Sequence, residues 1–155
     1  MITIDQPYFG LDREYLVQGE DNDLVNSYFE YMVNSAILLG ADNSTAHNQL
    51  RSALRFEIEL AKISAAKEDR RDENELYNPT TIGNMSNAGE AAHPPSWQKH
   101  FQSIIDIAFD SQEIDTATDE DVTSFLIGDS EKIIIRDLGF YNNLTEVIER
   151  TSPQD

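Results

Sequence analysis

Three side chains in this sequence could bind a metal through imidazole: His47, His93 and His100. None opens a His-Glu-x-x-His run, the pattern that sets two zinc ligands on one helix face. The chain has no cysteine, so it has no thiolate ligand, thiol nucleophile or disulfide. The histidines therefore read as surface or packing residues. Oxygen ligands are abundant in Glu20-Asp21-Asn22-Asp23 and from Asp115 to Asp121. A calcium loop starting at Asp21 would need glycine where Asn26 stands and glutamate where Met32 stands, so both clusters read as solvated acidic faces. No Gly-x-Ser-x-Gly elbow, Gly-x-Gly-x-x-Gly or Walker loop occurs, which removes the common serine-nucleophile and nucleotide signatures. The positive signal is a set of three N-glycosylation sequons, at Asn43-Ser44-Thr45, Asn84-Met85-Ser86 and Asn143-Leu144-Thr145. Each is expected at a loop or helix start. No catalytic, cofactor-binding or metal-ligating residue is assigned.

Composition narrows the partners. The chain has 155 residues, with 29 Asp and Glu against 11 Lys and Arg, a net charge of −18. Such a surface repels phosphate, which argues against nucleic acid and against contact with an anionic membrane. With 39% hydrophobic residues, among them seven Phe and six Tyr, there is enough apolar material for a globular core. The longest apolar runs, Ala36–Leu39 and Ile133–Ile135, are far short of a membrane span, and the first fifteen residues contain no apolar stretch of the kind a signal peptide carries.

The elements that position these residues read as mainly α. Met1–Gly19, broken by Pro7 and Gly10, reads as an irregular arm. From Asp21 to Leu39, apolar residues recur at three- and four-residue steps through Leu24, Val25, Tyr28, Phe29, Met32, Ala36 and Leu39, the mark of an amphipathic helix. Asp21 or Asn22 supplies its cap and Gly40 its stop. A second helix starts near Asn43 or Ser44 with Leu50, Leu54, Ile58 and Ala61 on one stripe, so the pair forms a helical hairpin. Lys67–Glu75 is almost wholly charged and reads as solvated, and Gly83–Pro95 reads as a loop. Ser96 caps a third helix whose buried stripe is Trp97, Phe101, Ile104, Ile105 and Ala108. Asp110–Asp121 is an acidic connector. A small β element is expected near residues 122–136, from the runs Val122–Ile127 and Lys132–Arg136, and a last helix from Phe140 to Arg150.

Several pieces, in order, carry a family likeness. Ile4-Asp5-Gln6-Pro7, then Gly10-Leu11 and Arg13-Glu14-Tyr15, resembles the "IDQP…GLPSRDYY" segment of the neprilysin and endothelin-converting-enzyme family of zinc metalloendopeptidases. Tyr28-Phe29-Glu30-Tyr31-Met32, Leu38-Leu39-Gly40, Phe56-Glu57-Ile58-Glu59-Leu60-Ala61, Arg70-Arg71-Asp72 with Leu76-Tyr77-Asn78, and Ser96-Trp97 with Phe101 resemble further pieces of that family in the same order. The resemblance is collinear over residues 4 to 109 and looser to Arg150. This sequence is one residue short after Leu11, lacks the family's proline there, and has Val17 and Val25 where vertebrate members carry a cysteine pair.

The resemblance implies that residues 1–155 are a single fragment of the N-terminal cap region, with the catalytic zinc domain absent. Zinc then belongs to the intact enzyme, and this chain is expected to need no cofactor and to be inactive alone. The implied partners are the catalytic domain of the parent and, through it, small peptide substrates; the implied location is extracellular or at the cell surface. An alternative from a different class is a free-standing acidic helical binding module derived from such a peptidase.

Overall fold

Asn or Asp stands immediately before each of the three longest capped helices and accepts the backbone N–H groups that a first turn leaves without partners. Asn22 accepts from Leu24 and Val25 at 2.8 and 3.3 Å, Asp42 from Ser44 at 2.7 Å, and Asp137 from Phe140 at 2.8 Å. The bonds from Ser44 hold the Asp42 carboxyl below its usual value. The computed structural model describes residues 1–87, 97–110 and 126–151. The chain runs β1 (Ile2–Ile4), α1 (Arg13–Leu16), α2 (Asp23–Leu38), α3 (Asn43–Ile63), a 3-10 turn (Lys67–Arg70), β2 (Asn78–Thr81), α4 (Ile82–Asn87), α5 (Trp97–Asp110), β3 (Lys132–Ile135) and α6 (Leu138–Arg150). It is mainly helical with one small sheet, as the sequence implies, and divides into two units, each assembled from separate stretches of sequence.

One unit holds residues 5–76 and 137–155. Its core is Leu16, Val25, Phe29, Val33, Leu54, Ile58 and Ala61, contributed by α1, α2 and α3. Of the expected stripe on α2, Val25 and Phe29 are buried and Val33 continues their line, whereas Leu24 and Leu39 are 44% and 89% exposed. The helix stops where Gly40, at φ +101°, donates to Ile37 at 3.0 Å while Ala41 donates to Ala36 at 2.9 Å. This paired closure needs a left-handed residue and turns the chain back into α3. Val17 packs against the cluster that contains Val25, so both sites contribute apolar burial to this core. Phe140 and Val147 are the buried residues of α6, which packs on α3.

The other unit holds residues 1–4 and 77–136. Its sheet has the order β1-β3-β2. β1 runs parallel to β3, with Ile2 opposite Ile133 and Ile4 opposite Ile135; β2 runs antiparallel, with Asn78 opposite Ile135. Central β3 carries three consecutive isoleucines, all buried, as a strand covered on both faces requires. Pro79 sits on edge strand β2, where its missing N–H costs no ladder bond.

Three expectations change. The arm is not irregular throughout, since it contains β1 and α1. The segment read as a loop from Gly83 begins inside α4, whose Ile82 and Met85 are 0% and 3% exposed and supply an apolar edge at helical spacing; residues 88–96, including Ser96, lie outside the described residues. The expected stripe on α5 is not buried: Trp97, Phe101 and Ile105 are half-buried and Ile104 is 51% exposed. Ala108 has no described side chain, and residues 111–125, which hold the acidic connector and most of the run from Val122, are likewise outside. Two α5 side chains clamp the backbone of the segment ahead of β3, where Gln98 donates to the Ile127 carbonyl at 2.8 Å and Gln102 accepts the Ile127 N–H at 2.9 Å.

Candidate functional site

The densest long-range polar contacts among the described residues lie where the arm meets the end of α3. A helix leaves its last carbonyls without partners, and here side chains from residues 5–13 take part in satisfying that end. The Gln6 amide bonds both backbone groups of Ala65, donating to its carbonyl at 3.1 Å and accepting its N–H at 2.8 Å. Arg13 Nε donates to the Ser64 carbonyl at 2.8 Å, and the buried Ser64 hydroxyl donates to Leu60 at 2.8 Å. Asp5 pairs with Arg70, whose side chain is only 20% exposed, so this residue of the charged run is not solvated as expected. Lys67 reaches Asp12 at 3.4 Å, an exposed pair of little energetic weight. These residues border a cleft of about 500 Å³, lined by Gln6, Tyr8, Phe9, Arg13, Ala66 and Lys67 among others.

A second bridge runs from the arm to both helices of the hairpin. Gly10 donates its N–H to Glu57 Oε1 at 2.8 Å, and the Tyr28 hydroxyl donates to Glu57 Oε2 at 3.1 Å. Burial first, then the Glu57 charge and hydrogen bond, push the Tyr28 hydroxyl up to about 12. A phenol held in its protonated form is a fixed donor and no base at neutral pH.

The remaining chemistry-bearing groups are used structurally. His47 packs edge-on to Phe29 at 5.9 Å, with Arg51 over the same ring at 4.8 Å, and His100 lies 6.1 Å from Trp97; His93 is outside the described residues. In the Glu20–Asp23 cluster, Glu20 takes Arg55 at 2.6 Å and Asn22 is the α2 cap. Among the described residues no three His, Asp or Glu come together to hold a metal. None of the described helices is long and apolar enough to cross a membrane.

The three sequon asparagines are all exposed, and their settings differ. Asn43 is the first residue of α3 and Asn84 the third of α4, whereas Asn143 lies inside α6 and not at a helix start. Asn143 Nδ2 donates to the Gly139 carbonyl at 2.7 Å.

The sequence model of peptidase family M13, for the family's N-terminal part, matches residues 1–155. The chain belongs to peptidase family M13. It is 39% identical to Neprilysin-2 of Drosophila melanogaster over 106 residues, which is 68% of this chain and 13% of that protein. It is 34% identical to the endothelin-converting enzyme homolog of Locusta migratoria over 110 residues, 68% of this chain and 14% of that protein. A longer match, to Neprilysin-3 of Drosophila melanogaster, is 28% identical over 151 residues, 96% of this chain and 17% of that protein. The chain thus spans between 13% and 17% of the length of these M13 relatives. Six of the residues that carried the family resemblance, Asp5, Gln6, Gly10, Arg13, Glu57 and Arg70, help tie the arm to α3 and the turn beyond it. Sequence reasoning had the M13 pieces as separate strings.

Proposed function

We propose that this chain is the non-catalytic helical portion of a neprilysin-like zinc metalloendopeptidase and that it helps form the cap over the substrate cavity of the intact enzyme. The observation that carries this reading is the M13 match over residues 1–155, in a chain whose described residues spend their polar groups on tying segments together. Peptide hydrolysis, zinc and small peptide substrates belong in this reading to the intact parent, and the parent's catalytic domain is the partner of this portion. The same reading places the chain outside the cell or at its surface, as a glycoprotein. The acidic surface, at net charge −18, fits a portion that meets its partner by shape and local polar contacts and repels nucleic acid.

The test has two arms. The 155-residue chain, purified and supplied with zinc, should leave a panel of short peptides uncut, whereas the gene product that contains it should cut them in a chelator-sensitive way. In that product, loosening the arm by Gln6→Ala with Arg13→Ala should change the size limit on peptide substrates more than the rate on the shortest peptide. Cleavage by the isolated chain, or a parent gene product with no zinc-dependent peptidase activity, would overturn the proposal. The second outcome would favour the free-standing acidic binding module.

A further inference from the structure

The three sequons are equal as strings and unequal as acceptors. Transfer of an N-glycan forms a bond from the asparagine Nδ2 to the first sugar of a lipid-pyrophosphate-linked oligosaccharide. The sugar–phosphate bond breaks, lipid pyrophosphate leaves, and one Nδ2 proton is lost to solvent. The nitrogen must therefore be reachable, the three residues must be able to leave a helix to enter the transferase, and the product must tolerate a bulky group on that nitrogen.

Asn43 meets all three conditions. It is exposed and opens α3, and among the described residues its side chain makes no hydrogen bond. The turn around it is held by the Asp42 cap, to which Ser44 and not Asn43 is bonded. Helix ends open far more readily than helix middles. Asn84 is also exposed with an unbonded side chain among the described residues. Its backbone N–H donates to the Thr81 hydroxyl at 3.3 Å, and freeing its sequon uncovers Met85, 3% exposed, but opens a helix of only six residues. Asn143 differs in its nitrogen and in the length of its helix. Its Nδ2 is the donor to Gly139, and it lies between Phe140 and Val147, 7% and 2% exposed, so freeing its sequon means opening α6 and uncovering both.

We infer that N-glycans are carried at Asn43 and Asn84 and largely excluded from Asn143, because of the three only Asn143 has its acceptor nitrogen bonded, and it lies inside a helix of thirteen residues, whereas Asn43 opens α3 and α4 has six. This rests on the proposed passage through a secretory pathway, and the test separates the two. The chain is expressed behind a cleavable secretory signal in a eukaryotic cell. It is recovered from medium and lysate together, and occupancy is read by peptide mapping with and without glycosidase. A second chain carries Glu149→Asn, which makes an Asn-Arg-Thr sequon with Arg150 and Thr151 at the exposed end of α6. The expected result is occupancy at Asn43 and Asn84 several-fold above Asn143, with the position-149 sequon also several-fold above Asn143. Equal occupancy at all three natural sites, or vacancy at Asn43 or Asn84, would overturn the inference, and so would a position-149 sequon no better used than Asn143. Where the natural protein resides is read separately, by surface labelling of intact cells. An internal location there would sink the export reading and leave the acceptor ranking standing.

Discussion

Gly10 and Tyr28 occupy each other's space: a Cβ on Gly10 would lie 2.1 Å from the Tyr28 hydroxyl oxygen and 2.9 Å from the ring carbon that bears it. The phenol cannot swing away freely because it is bonded to Glu57, which also holds the Gly10 N–H. Gly10→Ala should therefore cost about 1–3 kcal/mol as an overpacking change. The same substitution in a Tyr28→Phe background, where the hydroxyl is gone, should cost clearly less. Urea denaturation of the two singles and the double variant measures the coupling.

The raised Tyr28 value fixes a stability change at high pH. The folded chain holds this proton up to about 12, whereas the unfolded chain loses it near the usual tyrosine value of about 10. Below about pH 10 both states keep the proton and stability is unaffected; between about 10 and 12 the unfolded chain ionises first and stability falls. Since the ring is partly solvated, the loss should be about 1 kcal/mol, less than a dry site would give. Denaturation at about pH 9 and about pH 11.5, with Tyr28→Phe lacking this component of the drop, is the check.

Burial separates two aliphatic residues that the sequence treated alike. Leu54 is 1% exposed in the hairpin core, and Leu54→Ala should cost about 2–5 kcal/mol. Ile104 is 51% exposed, and Ile104→Ala should stay within about 0.5–1 kcal/mol of the parent chain. Comparable losses in thermal unfolding would show that α5 is covered where it is described as open.

Gln6 is the sharpest test of the arm's attachment. Gln6→Ala removes two bonds to Ala65 and should cost about 1–2 kcal/mol. It should also raise amide exchange at Ala65 well before exchange rises at Ile58 in the core. Unchanged exchange at Ala65 would mean that the arm is held by something other than this amide.

The helices were legible because two signals coincided. Periodic apolar residues marked α2, α3 and α6, Asp21 or Asn22 and Gly40 marked the ends of α2, and Asn43 or Ser44 the start of α3. β1 was not legible: three residues carry no period of their own, and their partner Ile133–Ile135 is remote in sequence. α4 hid behind glycine and asparagine, since Ile82 and Met85 are too few to announce a helix before the buried face they occupy is known. The arm contacts were hidden for a different reason. Gln6 and Arg13 bond backbone atoms of Ala65 and Ser64, and a backbone acceptor leaves no letter in the sequence.

The parallel pairing of β1 with β3 has a consequence for how the chain is made. At about 5–20 residues per second, a ribosome that has just finished Ile4 needs roughly 6 to 25 s to reach Lys132. Through that interval Ile2 and Ile4 have no ladder partner, and the central strand that will bury three isoleucines does not yet exist. The hairpin of α2 and α3, whose contacts are local, can form well before then. Synthesis therefore imposes an order on assembly: the helical hairpin comes first, and the sheet waits until β3 is made to pair with β1.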